Sequence, residues 1–400
     1  PVAPEALQEY RVSMAHFSAE YGRTAGLLAN AVTRSGGNQW HGMAYHYLKD
    51  EGVSADHREA QPGAWIGGPI VRDSLFVSGA FEWLRHRARQ EPVTLYMPTL
   101  TAHQFQAEPD GKSQGQQWLE GYQPRPIPTD RAWSAPVTFE PPASLDRGFA
   151  LARLDRLFGS GAWRTFGRLL GARVERPDFI WTPYTEFSSA LWQNTLGLAL
   201  GLAGSPRPSL SLEARLSVAD DDLGWDRAHP EIPTLFSSDE TVLPGSPAFY
   251  AYRNRMRNWE GLGSLQWTGG AHFLKAGGGY LRRTIQGYLT AGRDGRFLFD
   301  NLTDFLFGWP SLWQGVVERA RLPELVKPDY RRRYRNHQFF LFAEDAWKVR
   351  PGLLVTAGLR YESFGRPRSL GPVRDAGIRL GEGASLAERI ARAAWDVLPQ

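Results

Sequence analysis

The sequence predicts an all-β protein whose main body is an antiparallel transmembrane β-barrel wall, partial, of about 11 long strands. Three observations carry this reading. Long stretches alternate apolar and polar residues with period two. Every second connection between them is a tight turn, while the others are long. No apolar run reaches the roughly 18 residues of a helical span, and mean hydropathy is −0.40.

The alternation is clearest at 336–364, NHQFFLFAEDAWKV, then a tight RPG, then LLVTAGLRYESF. Leu353, Val355, Ala357, Leu359 and Tyr361 fall on one face. Leu354, Thr356, Gly358, Arg360 and Glu362 fall on the other. A soluble sandwich also alternates, but its strands usually run about five or six residues. Strands near ten residues, greasy on one face and carrying charge or glycine on the other, suit a wall with lipid outside and a polar bore inside.

Taken in order, residues 1–38 do not share this rhythm. Glu9–Val12 and Leu28–Arg34 read as short strands around the turn-rich Ala19–Gly26, the tail of a small α+β unit that hands over at Gly36–Asn38. Trp40–Leu48 is the first wall strand. Ala64–Val71 and Leu75–Arg85 form a hairpin, with Leu75, Val77, Phe81 and Trp83 opposed by Ser78 and Glu82. Arg147–Phe158 pairs with Trp163–Val174, although Arg153 and Asp155 interrupt its face. Ala190–Leu202 pairs with Pro208–Val218, carrying leucine rows at 196–202 and 210–216. Trp259–Trp267 pairs with His272–Arg282. The long connections are 49–63, 86–146, 175–189, 219–258, 283–335 and 365–400, and the rest are turns of Gly, Asp, Ser and Pro. Short turns at one rim and long loops at the other are the signature of an outer-membrane barrel. Ser385–Leu398 carries a capping box, Ser385 with Glu388, and reads as a short helix.

Composition agrees. The chain has 15 Trp, 14 Tyr, 21 Phe and 42 Gly, which suits aromatic girdles and closely packed strands. With no cysteine, disulfides, zinc–thiolate sites and a Cys nucleophile are excluded. Net charge is +4, but acids and bases are interspersed. The cluster Arg331–Arg333 with Arg335 is short and precedes a strand, so no nucleic-acid partner is expected. The chain opens at Pro1 without Met or an apolar leader, as an excerpt of something longer would.

Several stretches then resemble a known family. AEYGRTAGLLANAVTRSGGNQWHG at 19–42 resembles the end of the plug domain and the first barrel strand of TonB-dependent outer-membrane receptors. AWIGGPIVRDSLFVSGAFEWLR at 64–85, FLFDNLTDFLFGWP at 297–310 and FFLFAEDAWKVRPGLLVTAGLRYESF at 339–364 are similar to landmarks of the Oar-like subgroup, in the family's order. The resemblance implies that 1–38 is the C-terminal end, or remnant, of an α+β plug domain and 39–400 the N-terminal half of a barrel of about 22 strands. It implies a receptor in the cell outer membrane that moves a bulky ligand by plug-gated transport, with membrane lipid and the TonB complex as partners. The front of the plug, the TonB box, an N-terminal regulatory domain and the second half of the wall are expected outside this stretch. The family's Gly-Gly is Leu27-Leu28 here.

Candidate sites are few. Trp118, Trp133, Trp225, Trp309 and Trp313, placed in long external loops, could stack a planar ligand, or equally pack on one another or anchor at the lipid rim. Glu213, Arg215, Arg360 and Glu362 read as bore-facing ion pairs contacting the plug. His16, His41 and His46 have odd spacing and make no metal pair. Asp220–Asp222 with Asp226 read as a solvated acidic loop rather than a Ca²⁺ cradle. Glu344 and Asp345 point to opposite faces, so they cannot act on one bond. Gly277–Gly279 precedes no helix, and the G-x-S-x-G string at Gly111–Gly115 lies in a polar loop. No catalytic residue, metal or cofactor is expected. Against the transporter stand a passive outer-membrane shell or adhesin, which needs no plug, and a soluble glycan-cleaving enzyme, which needs two converging carboxylates.

Overall fold

The computed structural model describes residues 3–14, 18–22, 26–50, 58–106, 111–121, 133–246, 251–290, 292–371 and 376–397. Its wall strands are His41–Asp50, Arg58–Val71, Leu75–Arg87, Leu145–Phe158, Trp163–Ile180, Ser189–Arg207, Leu210–Trp225, Tyr252–Gly269, His272–Leu289, Arg332–Arg350 and Leu353–Ser363. Each pairs antiparallel with the next. Together with Arg368–Ser369, which pairs off this path with Arg332–Arg350, they form a 12-stranded sheet. Among the described residues His41–Asp50 and Leu353–Ser363 pair with the sheet on one side only, so the sheet is open.

The turns at one rim are tight because the chain there adopts left-handed backbone: Gly270 has φ 57° and Gly352 φ 84°. At the other rim the strands run further than the hydrophobic pattern shows. Leu210–Trp225 and Tyr252–Gly269 reach 16 and 18 residues, against the roughly 9–11 a bilayer demands. Above the lipid a strand still needs its ladder partners, but its outer face no longer has to be apolar. The alternation therefore stops before the strand does. Asp220, Asp221 and Asp222, expected in a loop, consequently lie in Leu210–Trp225, as does Trp225. The Arg332–Arg350 strand likewise takes in Arg332, Arg333 and Arg335, expected ahead of it.

The two faces differ as the alternation requires. Leu196, Leu198, Leu200, Leu216, Phe81, Trp83, Leu353, Val355, Leu359 and Tyr361 are all exposed, Leu216 at 63% and Leu359 at 77%. The leucine rows do not meet in a dry interior; they form a bare outer belt. The opposite face carries Ser78, Glu82, Arg153 and Asp155, all buried. The apparent break at Arg153 and Asp155 has a simple cause. Phe149, Leu151, Arg153 and Asp155 all point inward, the apolar pair onto Ala3 and Ala6, the charged pair onto each other.

The described residues of 3–38 lie against this inner face. Their described elements are a 3₁₀ turn, Pro4–Ala6, and two antiparallel strands, Leu7–Met14 and Leu27–Thr33. The α part of the expected α+β unit is not seen among the described residues of this segment. At the far end the expected helix is shorter, Leu386–Ala391, with Ser385 Oγ accepting from Glu388 N at 3.2 Å. It leads into a small antiparallel pair, Ala376–Arg379 with Ala394–Val397. Leu398 lies outside the described residues, as does His16.

Two outcomes test these faces. Leu200 and Leu216 are cross-strand partners in the belt, so Leu200→Arg should cost about 2–4 kcal/mol of folding into lipid vesicles, read by urea titration. Ser217→Arg, on the other face, should cost clearly less, and equal costs would refute the assignment. Asp155 holds Arg153 at 2.7 Å and Arg164 at 2.8 Å. Asp155→Ala should therefore destabilise the wall by about 3–5 kcal/mol, because it strands a buried guanidinium.

Candidate functional site

The inner face and the N-terminal segment are joined by polar contacts at both ends of that segment. At one end, Arg153 Nη1 donates to Thr33 O at 3.0 Å and to Thr33 Oγ1 at 2.8 Å. Ser78 Oγ donates to Arg34 O at 2.9 Å. The Arg34 guanidinium lies 5.5 Å from the Trp65 ring and donates to Leu7 O at 2.9 Å. Asp73 N donates to Asn38 Oδ1 at 2.7 Å, holding the handover to a tight turn of the wall.

At the other end the turn at Ser18–Gly22 meets the last strands. Ala19 N donates to Glu344 Oε2 at 2.7 Å, and Glu20 pairs with Lys275. Arg360 Nη1 donates to Ala19 O at 3.2 Å and Glu20 O at 2.7 Å, while Arg360 Nη2 holds Glu362 at 2.6 Å. The same guanidinium lies 4.0 Å from the Phe340 ring. Gly358 permits this approach, because a Cβ there would stand 2.9 Å from the Ala19 Cβ. Between the two ends is a recess of about 260 Å³ lined by Glu20, Asn30, Glu213, Arg215, Lys275 and Phe340. Glu213 and Arg215 pair with each other on its wall side. All four residues expected to face the bore thus lie on the inner face. Arg360 makes direct bonds to the segment, Glu362 steadies Arg360, and Glu213 and Arg215 line the recess.

The described residues of the long connections 86–146, 175–189, 219–258 and 283–335, which show no periodicity, form a folded layer with its own core. Phe187, Phe305 and Leu306 are fully buried there, with Met97, Leu119 and Phe299 close around them. Val93–Pro98 pairs with Ser134–Phe139, and Arg296–Phe299 pairs with both Thr234–Ser237 and Leu312–Gln314. The helix Leu302–Phe307 starts where Asn301 Oδ1 accepts from Asp304 N at 3.0 Å and stops at Gly308, φ 73°. Asp239 accepts from Leu302 N at 2.9 Å and Thr241 N at 3.0 Å. Burial raises its pKa, but these donors and Ser237 outweigh burial and hold it below the ordinary carboxylate value. Asp294 is buried with Arg227 at 3.2 Å. Ser113, the centre of the G-x-S-x-G string, caps the helix Gln114–Gly121 by accepting from Gln116 N at 3.2 Å.

The five tryptophans divide within this layer. Trp118 and Trp133 pack against the core, Trp133 with its ring 4.6 Å from Phe105. Trp225 ends a wall strand and stacks on Tyr252 at 4.8 Å; it is not a loop residue. Trp309 stacks on Phe307 at 4.6 Å yet stays 64% exposed, and Trp313 is 49% exposed. These last two are the largely exposed members of the five. The structure does not gather the five into one pocket.

His41 and His46 sit on opposite faces of the first wall strand. Asp220 and Asp222 are engaged by arginines of the next strand, and Asp221 accepts from Gln193 Nε2 at 2.8 Å and Thr195 Oγ1 at 2.6 Å. The bonds between Thr33 and Arg153 and between Ala19 and Glu344 were not legible in the sequence. A charge placed mid-strand on the inner face, as at Arg153, is the only local signal of them.

His103, in the loop helix Leu100–Gln104, has its pKa lowered by burial, with Glu120 opposing. Burial thus favours its neutral form in the fold. Its contribution to stability is complete above the unfolded value near 6.5 and is lost as pH falls through the lower folded value. Protection factors at 114–121, corrected for the intrinsic exchange rate, should therefore fall as pH drops below about 6.5. His103→Leu should remove that pH dependence, and an unchanged profile would show that His103 is not its source.

A family model described as "Outer membrane beta barrel domain" matches residues 32–155 and 183–371. The TonB-dependent transporter Oar of Myxococcus xanthus is 27% identical over 130 residues, a match covering 28% of this chain and 12% of Oar. Among solved structures, the siderophore receptor PirA from Acinetobacter baumannii aligns with TM-score 0.56 at 13% identity, over 91% of this chain and 45% of that one. The ferric enterobactin receptor PfeA from Pseudomonas aeruginosa gives 0.53 at 14%, over 90% and 45%. The transporter YddB from Escherichia coli gives 0.53 at 11%, over 91% and 44%. The chain thus spans less than half the length of these receptors.

Proposed function

The chain belongs to the outer membrane β-barrel domain family, and from that premise we propose that it is part of a plug-gated, energy-coupled transporter. Residues 3–38 are the end of the plug, and the inner face they rest on is the wall of the bore. The observation that carries this is the polar seating of that segment at both ends, at Thr33 with Arg153 and at Ala19–Glu20 with Arg360, Glu344 and Lys275. Charged and hydrogen-bonded contacts suit a part that must be held firmly yet released. They can re-form with water in a wet bore, and the apolar part of the seat, Ala3 and Ala6 against Phe149 and Leu151, is small. A passive shell or adhesin has no need of a segment bonded across its interior.

The folded loop layer, with Trp309 and Trp313 open on it, captures the ligand. TonB, pulling from the periplasmic side, breaks the polar seat and opens the recess beside Glu213 and Arg215. The unpaired edges of His41–Asp50 and Leu353–Ser363 cannot face hydrocarbon, where their N–H and C=O groups would find no partner. Further strands therefore complete the wall in the working receptor. The ligand is a bulky solute, as a siderophore is for PirA and ferric enterobactin for PfeA.

Deleting residues 1–38 from the receptor in cells should open the bore to vancomycin, which an intact outer membrane excludes. Unchanged resistance with the wall correctly assembled would remove the plug reading. Energy coupling has a separate test, because the chain contains no cysteine. Ala19→Cys with Gly358→Cys should form a disulfide readily in cells without TonB, and more slowly where TonB is energised. Equal rates would refute coupling through this segment.

A further inference from the structure

Where the exposed belt ends on the long-loop side, the outer face turns from apolar to basic within one residue row. Leu216, Tyr280 and Phe339 belong to the last apolar row, linked through Gly261. The next row is Trp259, Arg282 and His337, with Trp259 ring-exposed beside Arg282. Beyond it come Arg257, Thr284 and Arg335, then Arg255, Gln286 and Arg333. Successive same-face rows are about 7 Å apart, so the arginines start within one headgroup of the apolar edge.

The charge on this face is unbalanced. Asp220 and Asp222 are occupied: Asp220 by Arg255 at 2.9 Å and by Arg257, Asp222 by Arg253 at 2.7 Å. The side chains of Arg282, Arg333 and Arg335 have no hydrogen-bond or carboxylate partner among the described residues, and Arg335 Nε is buried without one. Like charges gathered on one face repel one another unless a counter-charge sits among them. Arg282 and Arg333 line an open recess of about 460 Å³ with Arg255, Arg257, Trp259, Thr284 and Gln286, an arrangement that suits an anion.

We propose that this recess binds the phosphate group of an anionic membrane lipid in the leaflet on the long-loop side. Guanidinium forks match phosphate oxygens two at a time, which a zwitterionic headgroup screens with its own cation. Continuity with the belt selects a lipid over a soluble phosphate. Acyl chains lying on Leu216, Tyr280 and Phe339 carry their headgroup up to Arg282 and Arg333, and Trp259 sits at the boundary where amphipathic rings anchor. The site rests on the chain's position in the membrane and is independent of plug gating.

The test uses the full-length receptor, delipidated in neutral detergent and titrated with phosphatidic acid or phosphatidylcholine, with bound lipid counted by native mass spectrometry. Phosphatidic acid should be retained about tenfold more strongly. Arg282→Ser with Arg333→Ser should abolish most of that preference, Arg282→Lys with Arg333→Lys should keep much of it, and Arg207→Ser at the opposite rim should leave it intact. Millimolar inorganic phosphate should not displace the lipid. Equal retention of the two lipids by the native protein would overturn the proposal whatever the variants do. A preference unaffected by the serine pair would also overturn it, as would displacement by free phosphate, which would mark a soluble-anion site.

Discussion

Hydrocarbon offers a backbone N–H or C=O nothing to bond to, and this chain meets that constraint with strands whose ladders bond sideways to their neighbours. The side chains are then freed to sort by face, one residue out and the next in. Leu200 can lie bare on the outside because Gly201, beside it, points the other way. Arg360 and Glu362 can sit wet inside because Leu359 and Tyr361 carry the lipid contact. The belt, the bore and the open edges all follow from this two-sided arrangement.

Inside the wall the chemistry is that of paired charges. Arg153 with Asp155 and Arg360 with Glu362 each add a bond to the backbone of residues 18–34. Such pairs contribute little net stability over an apolar contact, but they fix position sharply, since a displaced partner leaves a charge unmatched. A segment seated in this way has one well-defined location against the wall.

Beyond the lipid the rules change again. The loops build a core of their own around Phe187 and Phe305, so they present a shaped surface rather than loose chain. On the outer face at the same height, strands continue with arginines where leucines stood before. The alternation persists there as geometry, while the residue types filling it follow water and headgroups.

Period two, turn residues and strand length were written in the sequence, because a strand's face depends only on parity and a turn only on a few local torsions. They sufficed for the antiparallel strand-rich wall and for which residues share each of its faces, Glu213, Arg215, Arg360 and Glu362 among the inward ones, but not for the α+β unit expected at 1–38. The upper strand ends were not readable, since above the lipid nothing forces alternate residues to be apolar, and so Asp220–Asp222 and Trp225 looked like loop. Nor could the sequence say that Trp118 and Trp133 cement a loop core while Trp309 and Trp313 stay open, or that Ala19 meets Glu344 across 325 residues of chain. Those outcomes depend on which distant segments the sheet brings together. Only the folded chain decides that, because no local pattern encodes a partner hundreds of residues away.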